Sequence, residues 1–345
     1  MMTDLTATDA TSIARLASDP PPIAGLQLRG FAGASDLPGL VAVGLAANLA
    51  DSFDMIPTLD QLTVEFDSPD GFDPGADVLI AEVGGRIVGS VQVRFARRDE
   101  QASYDLVGDV HPDVRRHGLG RALHRAGVRR AQARAAREVP GDEAVLLGSW
   151  APESNVGHGA LMRSEGFTAV RYFFEMLRRD LAAPPTIEMP AGLEVRPVTA
   201  AILRRVFDAE VEAFQDHWGH RDWGDPVFEQ IRSGPDLDLD LWRVAWDGQE
   251  IAGVVATYIY GAENAALGVA RGWLERISVR RPWRRRGLAT ALIGSACDGL
   301  RERGITEAAL GVDAENPSGA LGLYESLGFV SVQRSIAWRR PLDRG

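Results

Sequence analysis

The chain runs twice through one order of alternating and helical segments. "GLQLRGF" at Gly25–Phe31 and "GLEVRPV" at Gly192–Val198 each alternate apolar and polar residues, which predicts an opening strand. Helical stretches follow both. Val78–Val93, "VLIAEVGGRIVGSVQV", and Trp242–Tyr258, "WRVAWDGQEIAGVVATY", then set a Gly-Gly or Asp-Gly turn between two apolar runs, which predicts hairpins. A further strand runs into an arginine-glycine segment in each half: "VRRHGLGRAL" at Val114–Leu123 and "WRRRGLATAL" at Trp283–Leu292. Helical spacing begins at once, through Leu119, Ala122, Leu123 and Ala126 in one half and Leu288, Ala291, Leu292 and Ala296 in the other. Each half then gives a short apolar strand (Ala144–Trp150, Ala308–Asp313), a helix ending in Gly-Phe (Gly166-Phe167, Gly328-Phe329) and a closing strand.

This order predicts an α/β (α+β) fold of two tandem domains, each a mixed central sheet flanked by helices. Residues 1–24 are expected as a flexible tail, 25–181 as the first domain and 192–345 as the second. The proline-rich 182–191 joins them. A chain of 345 residues is long enough for two cores.

Composition narrows the chemistry. All 37 basic residues are arginine. The lysine of a Walker loop and the Schiff-base lysine of pyridoxal-phosphate enzymes are both missing, so those classes are excluded. One cysteine, Cys297, allows neither an internal disulfide nor a multi-cysteine zinc site, and it falls in an apolar helix as a packing residue. No apolar run reaches membrane-spanning length, and the N-terminus has no signal-peptide pattern, so a cytoplasmic protein without a membrane partner is expected.

The arginine-glycine segment carries the function. A strand ends, glycine permits a tight turn, and a helix begins whose first N–H groups lack internal partners. That is an anion site suited to pyrophosphate. A dinucleotide-binding G-x-G-x-x-G is not formed, because the third glycine is absent from both halves. Nucleic-acid binding by Arg280, Arg281 and Arg284–Arg286 lacks a recognition motif, and the net charge is −11. A solvated arginine run does not explain why the glycine spacing recurs at one place in both halves.

Arg115-Arg116-His117-Gly118-Leu119-Gly120 and Arg284-Arg285-Arg286-Gly287-Leu288-Ala289 resemble the R/Q-x-x-G-x-G/A signature of the GNAT acyl-CoA N-acyltransferase superfamily. The resemblance extends as a tandem pair from about Leu26. It implies an N-acetyltransferase using acetyl-CoA, with direct transfer to a primary amine of a small molecule or peptide and no metal. Implied coenzyme contacts are Ile277, Ser278, Val279, Arg284, Arg285, Arg286, Gly287, Leu288, Ala289, Thr290 and Asn316, with Arg115, Arg116, Gly118 and Gly120 in the first half. Tyr324 is implied near the sulfur as proton donor. Glu275 is the expected base, on a strand where alternation puts Trp273, Glu275, Ile277 and Val279 on one face. The same carboxylate could instead be paired with an arginine.

Aligning the signatures sets Leu106 opposite Glu275 and Met162 opposite Tyr324, so the first half is expected to be degenerate and the second catalytic. The acceptor is expected against Glu212, Asp216, His217 and Trp218, with His220 and Asp222 close by; acids and aromatics suit a cationic amine. Tandem organisation with an active second half is also similar to the mycothiol synthase family, which acetylates a cysteine-containing pseudodisaccharide amine. Aminoglycoside-like, polyamine and peptide acceptors stay open, as do acyl-chain preference and a monomeric or homodimeric state. A different class, a non-catalytic acyl-CoA-binding regulatory protein, shares the two signatures but has no need of Tyr324.

Overall fold

The computed structural model describes every residue except 1–11, 19, 68–70, 99–100, 142, 183–187, 216, 219–222, 317–318 and 344–345. Two compact units divide the chain: 1–170 with 336–345, and 171–335.

The first unit contains α1 (Ile13–Leu16), β1 (Leu26–Gly30), α2 (Leu37–Ala50), α3 (Leu59–Phe66), α4 (Pro74–Asp77), β2 (Val78–Val83), β3 (Arg86–Arg98), β4 (Gln101–Val107), α5 (Leu119–Glu138), β5 (Val145–Pro152), α6 (Val156–Ser164) and the start of β6 (Thr168–Arg178). The second contains the rest of β6, then β7 (Leu193–Arg196), α7 (Leu203–Phe214), α8 (Asp225–Arg232), β8 (Arg243–Asp247), β9 (Glu250–Tyr258), α9 (Gly261–Leu267), β10 (Arg271–Val279), α10 (Leu288–Glu302), β11 (Glu307–Asp313), α11 (Ala320–Ser326) and β12 (Val330–Pro341) as far as Ser335. Strand order is β1-β2-β3-β4-β5-β12 in the first and β6-β11-β10-β9-β8-β7 in the second. Only β4–β5 and β10–β11 are parallel among the registered pairs.

The mixed α/β architecture and its repetition agree with the sequence pattern. The two hairpins turn at Gly84-Gly85 and Gly248-Gln249, and each shifts register at an equivalent point, Ala81/Glu82 and Ala245/Trp246.

Two expectations change. Part of the expected tail is packed on the first unit: α1 buries Ile13 completely, and Arg129 of α5 donates to the Leu16 carbonyl at 2.6 Å. An apolar side chain placed on the core outweighs the polar composition around it. The compact units also do not follow chain order at their ends. From Arg171, β6 pairs residue by residue with β11, Phe173↔Asp313 through Arg178↔Ala308, and the segment from Ile336 belongs to the first unit. There the Leu342 N–H bonds the Val145 carbonyl at 2.8 Å.

In the second unit the sheet separates two apolar layers. On one face Leu274, Val255, Leu310 and Val312 pack with Leu288, Leu292 and Ala296 of α10 and Tyr324 and Phe329. Trp242, Val254, Ala256 and Tyr258 pack on the other face with Val206 and Ala209 of α7.

Candidate active site

β10 pairs with β9 along its length, but with β11 only at Arg271↔Glu307, Gly272↔Ala308 and Trp273↔Ala309. Beyond Trp273 that edge of β10 has no registered strand partner, so a V opens between the two parallel strands. At the head of this V the β9–β10 register shifts: Leu274 opposes Thr257, Arg276 opposes Ala256, and Glu275 is the extra residue of a β-bulge.

The bulge overturns the expected face. Residues in register share a face, so Trp273 and Arg276 lie on the Tyr258 side, while Ile277 and Val279 lie with Leu274 on the α10 side. Trp273, Glu275, Ile277 and Val279 therefore do not form one row, because an inserted residue reverses the alternation that follows it. Glu275 stands exposed at the bulge, where its Oε1 accepts a hydrogen bond from the Tyr260 hydroxyl at 2.9 Å. Burial among surrounding protein raises its pKa above the usual carboxylate value, against the opposing effects of the Tyr260 hydrogen bond and the Arg276 charge. Arg276, by contrast, turns inward to Glu210 of α7 at 3.1 Å.

At the far end of β10 the arginine-glycine segment forms the predicted strand–turn–helix. Arg285 (φ 64°) and Gly287 (φ 83°) take the left-handed conformation, and α10 starts at Leu288. The Ala291 N–H closes the first turn on the Gly287 carbonyl at 3.1 Å. The N–H groups of Leu288, Ala289 and Thr290 precede it at the positive end of the helix. No atom lies within 4 Å of the place a Gly287 Cβ would occupy, so the backbone is open to a ligand.

Arg284 is spent on the loop itself: it donates to the Val279 carbonyl at 2.9 Å and the Ala213 carbonyl at 3.1 Å. Arg115 repeats this in the first unit, bonding the Val110 carbonyl at 3.0 Å and clasping Asp51 at 2.7 and 3.0 Å. The first arginine of each signature thus braces the turn, while Arg285, Arg286 and Arg116 are exposed beside the helix start.

Tyr324 lies on α11, 7% exposed, edge-on to Phe329 at 6.3 Å. Burial pushes its pKa up to about 12, so the hydroxyl keeps its proton at neutral pH. It has no hydrogen-bond partner among the described residues. Asn316 sits in the turn after β11, its N–H on the Asp313 carbonyl at 3.1 Å. Cys297 is fully buried and burial raises its pKa to about 11, which agrees with packing.

The described residues among the expected acceptor contacts each have a partner of their own. Glu212 pairs with Arg280 at 2.7 Å. His217 packs on Phe214 at 4.5 Å, and Trp218 meets Phe173 at 6.1 Å and the Arg171 guanidinium at 5.4 Å. Asp216, His220 and Asp222 lie outside the described residues. Sequence reasoning missed Tyr260, although Tyr258-x-Tyr260 alternates at the end of β9 and its rings stack at 5.9 Å.

The first unit repeats the loop and the parting of its parallel strands, since β4 and β5 are registered only from Ala102↔Val145 to Asp105↔Gly148, but it does not repeat the bulge. β4 keeps one register with β3 throughout, without a bulge, and Leu106 is buried where Glu275 stands in the second unit. Ser149, on the strand beyond, donates to the Leu106 carbonyl at 3.0 Å and lies 3.3 Å from His158 Nε2. Tyr104 and Trp273 precede their loop glycines equally and pair with Leu147 and Ala309, so the counterpart of Ser149 is Gly311. Gly311 has no atom within 4 Å of a Cβ position. The first unit still has a cleft of about 710 Å³ that takes in Arg115, Arg116, Gly118, Gly120 and His158.

Comparison with known proteins agrees with this geometry. Residues 203–329 match the acetyltransferase (GNAT) family model, and residues 74–169 match an acetyltransferase (GNAT) domain model. Mycothiol acetyltransferase of Geodermatophilus obscurus is 26% identical over 307 residues, covering 87% of this chain and 93% of that protein. That of Streptomyces scabiei is 29% identical over 272 residues, covering 77% and 80%. The crystal structure of a GCN5-related N-acetyltransferase from Sphaerobacter thermophilus aligns with TM-score 0.69 and 26% identity over 93% of this chain and 96% of that one. The chain belongs to the GNAT acyl-CoA N-acyltransferases, as a tandem pair. It is an acetyltransferase with acetyl-CoA as co-substrate and an amine as acceptor; the non-catalytic alternative is not favoured. No helix among the described residues is long and apolar enough to cross a membrane.

Proposed function

We propose that the second unit carries out the transfer, with Glu275 as base and Tyr324 as acid. An acceptor amine arrives largely as ammonium and must lose a proton before attack. Glu275 takes it, directly or through one water, and its raised pKa makes it a better base than an ordinary carboxylate. The nitrogen attacks the thioester carbonyl carbon, the C–S bond breaks, and the leaving sulfur receives the proton of Tyr324. The second N–H proton of the now cationic nitrogen is released as the amide forms and restores the Tyr324 hydroxyl through solvent. The loop from Arg285 to Thr290 holds the pyrophosphate, and the free edge of β10 at Ile277–Val279 lines the pantetheine arm. The observation that carries this reading is the exposed Glu275 carboxylate at a bulge where β10 and β11 part.

The first unit, on this reading, keeps a coenzyme loop at Arg116, Gly118 and Gly120 without the means for chemistry. As acceptor we propose a small-molecule amine, and the relatives named mycothiol acetyltransferases make the amine precursor of mycothiol the first compound to try. Peptide amines come second. Calorimetric titration of acetyl-CoA into wild type, Gly287→Glu and Gly118→Glu, with turnover of that amine, tests the assignment. Binding lost at one site in each variant, with turnover lost only in Gly287→Glu, is expected. Turnover surviving in Gly287→Glu would place the chemistry elsewhere. Gly287→Ala controls for the left-handed backbone, which costs an L-residue about 1–2 kcal/mol.

A further inference from the structure

The acetyltransferase mechanism leaves unused a buried ion pair directly beneath the proposed base. Glu210 on α7 is fully buried, and its Oε1 meets Arg276 Nε at 3.1 Å. Arg276 is the residue after Glu275, at the point where the register recovers. Its guanidinium lies between the Trp242 and Tyr258 rings, 5.0 and 5.8 Å from their centroids. Glu210 Oε2 and Arg276 Nη2 find no hydrogen-bond partner among the described residues. An incompletely satisfied buried pair is a poor source of stability, since an apolar pair of similar volume is commonly as good or better. Another role has to explain it.

The first unit supplies the contrast. There β4 has no bulge, the position after Leu106 is the exposed Val107, and α2 (LPGLVAVGLAANLA) has no charged residue. Bulge, outward acid and inward ion pair occur together in the second unit and are absent together from the first. A one-residue slip would carry Arg276 to the other face and cost the charge its ion pair with Glu210.

We propose that Glu210 and Arg276 are positioning residues: the pair locks the register of β10 past the bulge and so presents Glu275 in the open V. This rests on the reading of Glu275 as the base. The charged and titratable groups around Glu275 are Tyr258 and Tyr260 from β9 and its end, Arg276 on its own strand, Glu210 from α7, and Asp236, which acts on Tyr260. Glu210 balances the Arg276 charge, so its neutralisation leaves a bare guanidinium next to the base and favours the Glu275 carboxylate.

The test compares Glu210→Leu/Arg276→Met, Glu210→Gln and Glu275→Gln in the full chain by melting temperature, acetyl-CoA titration, and the pH profile of kcat/KM. The double variant is expected to fold and bind acetyl-CoA within threefold of wild type while kcat falls about tenfold to a hundredfold, part of what general-base catalysis contributes. Glu210→Gln, which keeps the shape of the pair, is expected to shift the acid limb of kcat/KM to lower pH. Wild-type kcat in the double variant with an unmoved limb in Glu210→Gln overturns the proposal and leaves Glu275 as base. Should the double variant fail to fold, the limb of Glu210→Gln decides alone. Wild-type turnover in Glu275→Gln overturns both readings.

Discussion

The two units share a loop and differ in a strand. In both, the residues from Arg115 to Gly120 and from Arg284 to Ala289 end a strand, brace the turn with the first arginine, and open a helix at a left-handed glycine. In the first unit β4 then runs straight, and Ser149 ties its neighbour to Leu106. In the second β10 bulges at Glu275, and the equivalent neighbour, Gly311, offers no such tie. The loop geometry and the sheet defect are therefore separable in this fold: both units carry the left-handed glycine at a helix start, and of the β4–β3 and β10–β9 pairings only the second carries the bulge that turns a carboxylate outward. On the proposed mechanism, the loop accounts for coenzyme binding and the bulge for the base.

The largest expected effect breaks the comparison at that defect. Glu275→Gln keeps the bulge and the Tyr260 contact but removes the base, so kcat should fall about 10²- to 10⁴-fold with acetyl-CoA affinity unchanged. Leu106→Gln at the matching place should leave turnover at the wild-type level. Equal losses from both would mean that the units act as one catalytic body. In wild type, activity should decline as pH falls through the raised Glu275 pKa, because the protonated acid cannot accept the ammonium proton.

Gly311→Ser probes the second difference. It introduces a hydroxyl where Ser149 ties the first unit, and a drop of about tenfold to a hundredfold in kcat/KM is expected from displaced substrate. Ser149→Gly should not alter turnover. An active Gly311→Ser enzyme would show that closing the V does not matter.

Much of this asymmetry was legible in the sequence. The repeat, both hairpins and both loops follow from period-two and helical spacing with glycine at the turns, since those signals are local. Leu106 opposite Glu275 already sets the two halves apart at the position proposed for the base. The bulge was not legible: "WLERISV" reads as plain alternation, and only pairing against Tyr258–Gly253 reveals the extra residue. The same limit hid the Glu210–Arg276 pair, whose members are 66 positions apart. It also hid the anchoring of Ile13 and the pairing of β6 with β11, because long-range packing leaves no period in one strand or helix. The resemblance implies Arg115 and Arg284 as coenzyme contacts; that each also braces its own turn through a backbone carbonyl is a geometry that the motif does not spell out.

The smallest expected effect concerns stability. His124, 5% exposed against Phe167, and His158 beside Ser149 both have pKa values lowered to about 4, chiefly by burial. Unfolded histidine titrates near 6.5, so between about pH 6.5 and 4 the unfolded state binds more protons and the first unit loses stability as pH falls, on the order of 1–3 kcal/mol for each ring. Above pH 6.5 their contribution is fully present. The half-buried Asp109 in the same unit, whose pKa desolvation raises, opposes the loss in part. In the second unit Glu210 and Glu275 have raised pKa values, which act in the stabilising direction on acidification, and the described histidine there, His217, is exposed. Hydrogen exchange at pH 7.5 and pH 5.0, corrected for intrinsic rates, should show protection falling selectively in α5 and β5. His124→Leu should flatten that dependence. Uniform loss across both units would mean that the buried imidazoles do not set the acid sensitivity of the first.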